Sequence, residues 1–375
     1  MNDVLGLIFA YSSDRAMREL VDHRTAASVP IAARYRCIDF MLSSMINSDI
    51  NDVGVIMRQN YQSLLDHVGS GKDWDLSRKR GGLMLLPPFG YRMGSRDYMP
   101  AQFYRGKMDA ILGVRNYIST RHRRYVVLAD GELIANVPID EALDAHIASG
   151  ADVTVVCTHR NMSKSQHNAF YIADKDGRVK EILINPEEAG DCRSIGVFIL
   201  EKSLLERLMD YCAAHGVYLL EKDVLQKMIK TLDVRIFSFE GYCAESQSII
   251  QYYRVNMDIL NRDVRNDLFL KTRPIYTKVR DEPSTYYGET ASVNNSIIAD
   301  GCYIEGKVEN SVIFRGVRIG KGAKVKNSII MQSAVLQEGS SLNNCIVDKG
   351  AVFREGRMMM GSESYPVVIA KESTV

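Results

Sequence analysis

Short apolar runs recur through the first 240 or so residues, at 5–10, 53–57, 125–129, 153–157, 194–200 and 234–237. Between several of them the apolar positions shift to a spacing of three and four, at 38–47, 108–119, 139–148 and 203–211. Unbroken apolar runs of strand length, alternating with amphipathic helices, predict an α/β body. Its mostly parallel, doubly wound sheet would be covered by helices on both faces. Residues 246–261 carry Ile249, Tyr252, Tyr253, Val255, Met257 and Ile259 at helical spacing, so a bridging helix is expected there. The stretch 270–288, with Pro274 and Pro283, reads as a linker.

The last part of the chain follows a different rule. Val293-Asn294-Asn295-Ser296-Ile297-Ile298 returns as Val308-Glu309-Asn310-Ser311-Val312-Ile313, Val325-Lys326-Asn327-Ser328-Ile329-Ile330 and Leu342-Asn343-Asn344-Cys345-Ile346-Val347, at steps of 15, 17 and 17 residues. Hexad-like pieces such as Ile319-Gly320-Lys321-Gly322-Ala323-Lys324 lie between them. An aliphatic residue every five or six positions, with Gly and Asn at corners that need positive φ, marks a parallel β-helix. One coil cannot bury its own apolar row, so at least three must stack, and about four are legible. An antiparallel sandwich would show period-2 alternation and hairpin turns instead. The expected organisation is a sheet domain over 1–245, a bridge over 246–288 and a β-helix over 289–375.

Composition narrows the class further. A chain of 375 residues exceeds what one compact core usually holds. Lys and Arg number 47 against 46 Asp and Glu, a formal charge of +1, which excludes a strongly basic nucleic-acid binder. No 18-residue apolar window exists, so no membrane span is expected. The opening MNDVLGLIFAYSSDR lacks the basic-then-apolar layout of a secretory leader and reads as a first strand. Cys37, Cys157, Cys192, Cys212, Cys243, Cys302 and Cys345 are odd in number, widely spaced and free of CxxC pairs. Reduced thiols in a cytoplasmic protein are expected, not a disulfide framework or a zinc site.

Ligands of open α/β sheets bind beyond the carboxyl ends of the strands. The loop there after the first run, Tyr11-Ser12-Ser13-Asp14-Arg15, has no glycine to let backbone N–H groups approach a phosphate, and Asp14 would repel a triphosphate. Arg15, Arg18, Arg24, Arg34 and Arg36 make the neighbouring stretch basic. They suit an anion, or else a solvated surface or subunit contact. Asp130 and Glu132 follow one strand and Glu240 and Glu245 another, the arrangement a phosphate-bridging Mg²⁺ requires, although strand-end acids also serve as turn and cap residues. The seven histidines show no metal-ligand spacing, and none lies in the β-helix.

Several motifs carry a family resemblance. Val68-Gly69-Ser70-Gly71-Lys72-Asp73-Trp74-Asp75-Leu76, then Gly81-Gly82 and Leu86-Pro87-Pro88, resembles the GSGxxWDLxRxxGG…LPP signature of bacterial ADP-glucose pyrophosphorylase, the glucose-1-phosphate adenylyltransferase. Further matches are Val29-Pro30…Arg34-Tyr35-Arg36…Ile38-Asp39-Phe40, Phe103-Tyr104-Arg105-Gly106…Asp109-Ala110-Ile111, Ser194-Ile195-Gly196-Val197-Phe198-Ile199 and Phe239-Glu240-Gly241-Tyr242…Asn256-Met257-Asp258-Ile259-Leu260. The resemblance spans nearly the whole chain. It implies a Rossmann-like nucleotidyltransferase domain joined to a left-handed parallel β-helix.

Measured against that family, the chemistry is depleted. The family's GGxGxRL loop corresponds to residues 11–17, without glycine and with the Arg displaced. Its AKP lysine corresponds to Ala26, its catalytic aspartate to Gly131 with Asp130 one place early, and its EKP lysine to Asn185. Its metal-motif aspartate corresponds to Glu245, with Cys243 in place of the Trp, and a sugar-site glycine to Ala169. Tyr104 and Ser194, positions that touch the sugar phosphate in the family, are retained, and Gly106 and Asp109 join them as substrate-site candidates. A kept scaffold with lost chemistry resembles the GlgD-type subunit found beside a catalytic subunit.

Losing one preorganised charge-stabilising donor costs roughly 10²–10³ in rate, and several are missing here. The expectation is a non-catalytic or feebly catalytic subunit acting in glycogen synthesis within a hetero-tetramer. Arg15, Arg24, Arg34 and Arg36 are its candidates for binding a sugar-phosphate or nucleotide effector. The alternative is an active sugar-1-phosphate nucleotidyltransferase using Asp130 and Glu245 with Mg²⁺, the one reading that requires a cofactor. A remoter reading, a β-helix acyltransferase, lacks the general-base His such a coil needs.

Overall fold

The structure, a computed structural model, describes residues 3–11, 14–88, 104–160, 168–186 and 192–375. Ser12, Ser13, Phe103 and the side chains of Asp14 and Arg15 lie outside the described residues. The sheet domain is built on nine strands: β1 (Val4–Ala10), β2 (Asp52–Met57), β3 (Gly82–Leu86), β4 (Tyr125–Asp130), β5 (Val153–Thr158), β6 (Ala169–Ala173), β7 (Val179–Ile184), β8 (Arg193–Glu201) and β9 (Val234–Ser238). Their order is β7-β6-β8-β4-β1-β2-β3, with β5 also against β8 and β9 beside β5. Strands β7 and β8 run against the other seven.

The central apolar runs are nearly continuous because both faces of the sheet are covered. In β1, Val4, Ile8 and Ala10 pack toward α1 (Cys37–Asn47) and α2 (Ile139–Ser149), which contribute Met41, Met45, Ile139 and Leu143. Leu5, Leu7 and Phe9 pack toward the opposite layer, where Ile111 and Leu208 stand. Each fully buried Leu or Ile contributes roughly 1.5–3 kcal/mol. The helical pattern over 108–119 is broken in the fold into Lys107–Gly113 and Arg115–Ser119. Strands β6 and β7 form a hairpin turned at Asp174–Gly177, where Gly177 has φ 77° and donates to the Asp174 carbonyl at 3.0 Å. An Asp-Gly dipeptide between apolar stretches is the sequence signal for such a turn.

The bridge is the helix Ile249–Asp258, capped by Ser248, whose Oγ accepts from the Gln251 N–H at 3.2 Å. Adjacent tyrosines point two ways. Tyr252 donates to the Pro30 carbonyl at 2.7 Å, and Tyr253 donates to the Asn327 carbonyl of the β-helix at 2.7 Å. Around them one apolar cluster joins Met17, Leu20 and Ala26 to Phe314, Met331 and Ile346, so the two bodies share a core.

The β-helix consists of three parallel five-stranded sheets. Asn295, Asn310, Asn327 and Asn344 all have positive φ between 40° and 51°, which explains the recurring Asn. The residue after each makes a ladder. Ser296 Oγ accepts from Ser311 N–H, Ser311 Oγ from Ser328 N–H and Ser328 Oγ from Cys345 N–H, each at 3.1 Å. The repeat showed about four coils, whereas each sheet has five strands. The last coil substitutes Met358-Met359-Met360 for the repeating motif and reaches Val367–Ile369 only after an intervening loop.

Candidate functional site

Strand ends β1, β4 and β8 open onto a pocket of about 350 Å³, the location the sheet topology dictates. Phe9 and Tyr11 enter from β1, Asp130 and Glu132 from β4, and Ser194 and Gly196 from β8. Tyr104, Arg105, Gly106 and Lys107 supply one wall, Asn168, Ala169 and Asn185 a second, and Glu245 and Gln247 a third. The Tyr11 ring lies 4.8 Å from that of Tyr104 and edge-on to Phe9 at 5.8 Å. Aromatic surface therefore lines the β1 side of the pocket. Burial and the nearby Asp130 carboxylate raise the Tyr11 hydroxyl well above the ordinary tyrosine value, so it stays neutral.

Both candidate metal carboxylates carry an internal partner. Lys107 Nζ stands 2.8 Å from Asp130 Oδ2, with the two side chains 20% and 28% exposed. Arg193 Nη2 donates to Glu245 Oε2 at 3.1 Å, and those side chains are only 4% and 14% exposed. Burial alone would lower the Lys107 amine. Asp130, then Glu221 and Glu245, overcome that and hold its amine above the ordinary lysine value. Among the described residues, no group of three or more His, Cys, Asp and Glu side chains is placed to hold a metal.

Ser194 is buried, and its Oγ accepts from the Gly196 N–H at 3.1 Å. Gly106 is required by close approach, since a Cβ there would stand 2.4 Å from the Tyr218 carbonyl oxygen. Asp109 does not line the pocket. It is buried and accepts from the Arg105 N–H at 3.0 Å, holding the start of Lys107–Gly113. Asn185, at φ 48°, accepts from the Asn168 N–H at 2.7 Å and returns its own N–H to the Asn168 carbonyl at 2.8 Å. It clamps the pocket rim. Ala26 is fully buried in the shared core, away from the pocket lining. Gly131 sits against β1: its N–H donates to the Phe9 carbonyl at 2.9 Å, and a Cβ would also lie 2.9 Å from that oxygen.

The arginine candidates gather elsewhere, where the sheet domain meets the β-helix. Arg24 is buried and makes hydrogen bonds of 2.7 and 2.6 Å to the two carboxylate oxygens of Asp348. Arg36 is buried and donates to the Ser63 carbonyl at 2.6 Å and Oγ at 2.8 Å. Arg34 is exposed. Beside them the fold adds Arg280, Arg315 and Lys349. Burial, then Arg36 and Arg24, push the Lys349 amine down to about 7. Burial, with Arg34 and Arg280, lowers Arg315, whose buried Nε and Nη2 have no hydrogen-bond partner among the described residues. Cations crowded until one discharges are short of an anion.

Sequence reasoning singled out none of Lys107, Arg193, Lys349 and Arg315. Lys107 lies in the unassigned gap of the motif between Gly106 and Asp109.

A nucleotidyl transferase family matches residues 16–247, and a GlmU-like C-terminal hexapeptide family matches residues 283–364. The latter match identifies the coil stack as a left-handed parallel β-helix. The glycogen biosynthesis protein GlgD of Geobacillus stearothermophilus is 39% identical over 324 residues, 86% of this chain and 82% of its own. GlgD of Bacillus subtilis (strain 168) is 31% identical over 323 residues, with 86% and 82% covered. A glucose-1-phosphate adenylyltransferase of Geobacillus stearothermophilus is 32% identical over 325 residues, with 85% and 82% covered.

Proposed function

We propose, for a chain that belongs to the ADP-glucose pyrophosphorylase (glucose-1-phosphate adenylyltransferase) family of glycogen-biosynthesis nucleotidyltransferases, a role as the non-catalytic or feebly catalytic subunit that modulates a catalytic partner. The observation that carries this reading is the pairing of Asp130 with Lys107 and of Glu245 with Arg193 in the pocket. Adenylyl transfer needs cations that absorb negative charge developing on the phosphates. Here the acids that would hold such a cation are paired from within, and Tyr11 lines the β1 side of the pocket. Geobacillus stearothermophilus has both a GlgD relative and an adenylyltransferase relative, the combination a hetero-oligomer requires.

Modulation is assigned to the cation cluster at the domain junction, formed by Arg34, Arg36, Arg280, Arg315 and Lys349, with Arg24 beside it paired to Asp348. A sugar-phosphate or nucleotide effector bound there touches both bodies at once. It shifts a partner's active population to the extent that two arrangements of the junction bind it differently. The test is ADP-glucose synthesis by the purified chain, by a catalytic subunit and by their mixture, each with and without glycolytic sugar phosphates. The expected result is little or no activity alone and a changed effector response in the mixture. Full activity of the chain alone would favour the active nucleotidyltransferase reading. A mixture identical to the catalytic subunit would remove the regulatory one.

A further inference from the structure

The resemblance implies a magnesium ion bridging phosphates, but the residues of the pocket do not fit one. Magnesium demands about six oxygens at roughly 2.0–2.1 Å and usually keeps waters beside one or two carboxylates. Asp130 Oδ2 has no such freedom. On one side it meets the Lys107 ammonium at 2.8 Å. On the other it lies against the Gly196 backbone, where even an added Cβ would stand 2.2 Å away and where φ is 79°. Any cation bonded to this oxygen would sit within about 5 Å of the ammonium. Nor can Lys107 swing aside freely. It starts the helix Lys107–Gly113, and its Nζ lies 4.9 Å from the Phe198 ring centroid and 5.9 Å from that of Phe9. Glu245, the second acid, is held by the nearly buried Arg193.

We infer that Lys107, backed by Arg193, is a resident counter-cation that makes this pocket blind to divalent metals. Its ammonium supplies one fixed positive charge, so an anion entering the pocket meets a lysine and not a metal-bound water shell. The inference rests on the same ion pairs as the proposed function, and the mixing assay, not metal binding, judges the modulation of a partner. Metal binding by the native chain would sink the inference and leave the modulation to that assay.

Mn²⁺ is the probe, followed by electron paramagnetic resonance on the full chain. The native protein should show no saturable site below about 1 mM. Lys107→Met removes the charge at similar volume and should create a site bound at least about 30-fold tighter, since about 1.4 kcal/mol corresponds to each factor of ten. Adding Arg193→Met should tighten it further, and Asp130→Asn should abolish it. Should Lys107→Met fail to fold, Lys107→Gln carries the same expectation. A saturable Mn²⁺ site in the native chain that Asp130→Asn removes would overturn the inference. So would folded Lys107 variants, with and without Arg193→Met, that bind Mn²⁺ no better than the native chain.

Discussion

Replacing Lys349 by Met should make the protein's stability less dependent on pH. Burial, with Arg36, Arg24 and Arg280 facing it and Asp348 of opposite sign beside it, pushes the amine down to about 7 against 10.5 in an unstructured chain. A lysine with a depressed folded value binds fewer protons folded than unfolded between those two limits. Stability must therefore rise with pH from about 7 to about 10.5, with the full penalty present below 7. Integrating the two titrations puts the penalty at roughly 4–5 kcal/mol at pH 6 and roughly 2 kcal/mol at pH 9. The native protein should thus gain roughly 2–3 kcal/mol over that interval which Lys349→Met does not. Urea denaturation of both proteins at pH 6 and pH 9 measures this difference of differences and cancels every other titrating group. If the gap between native and variant is the same at both pH values, the cation cluster is not crowded and the effector assignment loses its electrostatic basis. Adding a phosphate-bearing sugar at pH 6 should narrow the gap, because a bound dianion restores the charged amine.

Three further outcomes follow from the geometry. Asp348→Asn leaves the Arg24 guanidinium buried without its carboxylate, at 4% side-chain exposure. It should cost about 3–5 kcal/mol and lower the thermal midpoint by on the order of 10 °C, whereas Arg24→Met combined with Asp348→Leu should cost less. Gly131→Asp places a carboxylate where the resemblance puts the family's aspartate but drives a Cβ into the Phe9 carbonyl oxygen. It should destabilise by about 1–3 kcal/mol and yield no ADP-glucose synthesis in the standard assay. All seven thiols are buried, and burial pushes Cys212, Cys243 and Cys345 up to about 11. A disulfide reagent at pH 8 should therefore label them slowly in the native protein and all seven quickly in urea.

Much of the architecture was legible before any coordinates because it rests on local rules. Val, Ile and Leu runs mark strands covered on both faces. The Asn-Ser repeat marks coils, since each corner needs an αL-tolerant residue and each Ser Oγ takes an N–H from the next coil. Where a local signal was weak the reading fell short. The fifth coil keeps the geometry while its Met358-Met359-Met360 abandons the motif, and β3, β6 and β7 are only partly buried strands of five or six residues. The missing glycine loop after β1 was equally plain in the sequence, because composition alone shows it.

What the linear order could not decide is which charge meets which. Lys107 and Asp130 are 23 residues apart, Arg193 and Glu245 are 52, and Arg24 and Asp348 are 324. Nothing in a residue's neighbours along the chain announces such pairs, because ion pairing at a few ångströms depends on where separate strands and coils place their side chains. From sequence alone Asp130 and Glu245 were candidate metal ligands and Arg24 a candidate anion binder. Folding closed the acids with internal cations and spent Arg24 on Asp348. It also gathered Lys349 and Arg315 to the junction beside Arg34, Arg36 and Arg280, so that like charges crowd at one place between the two bodies.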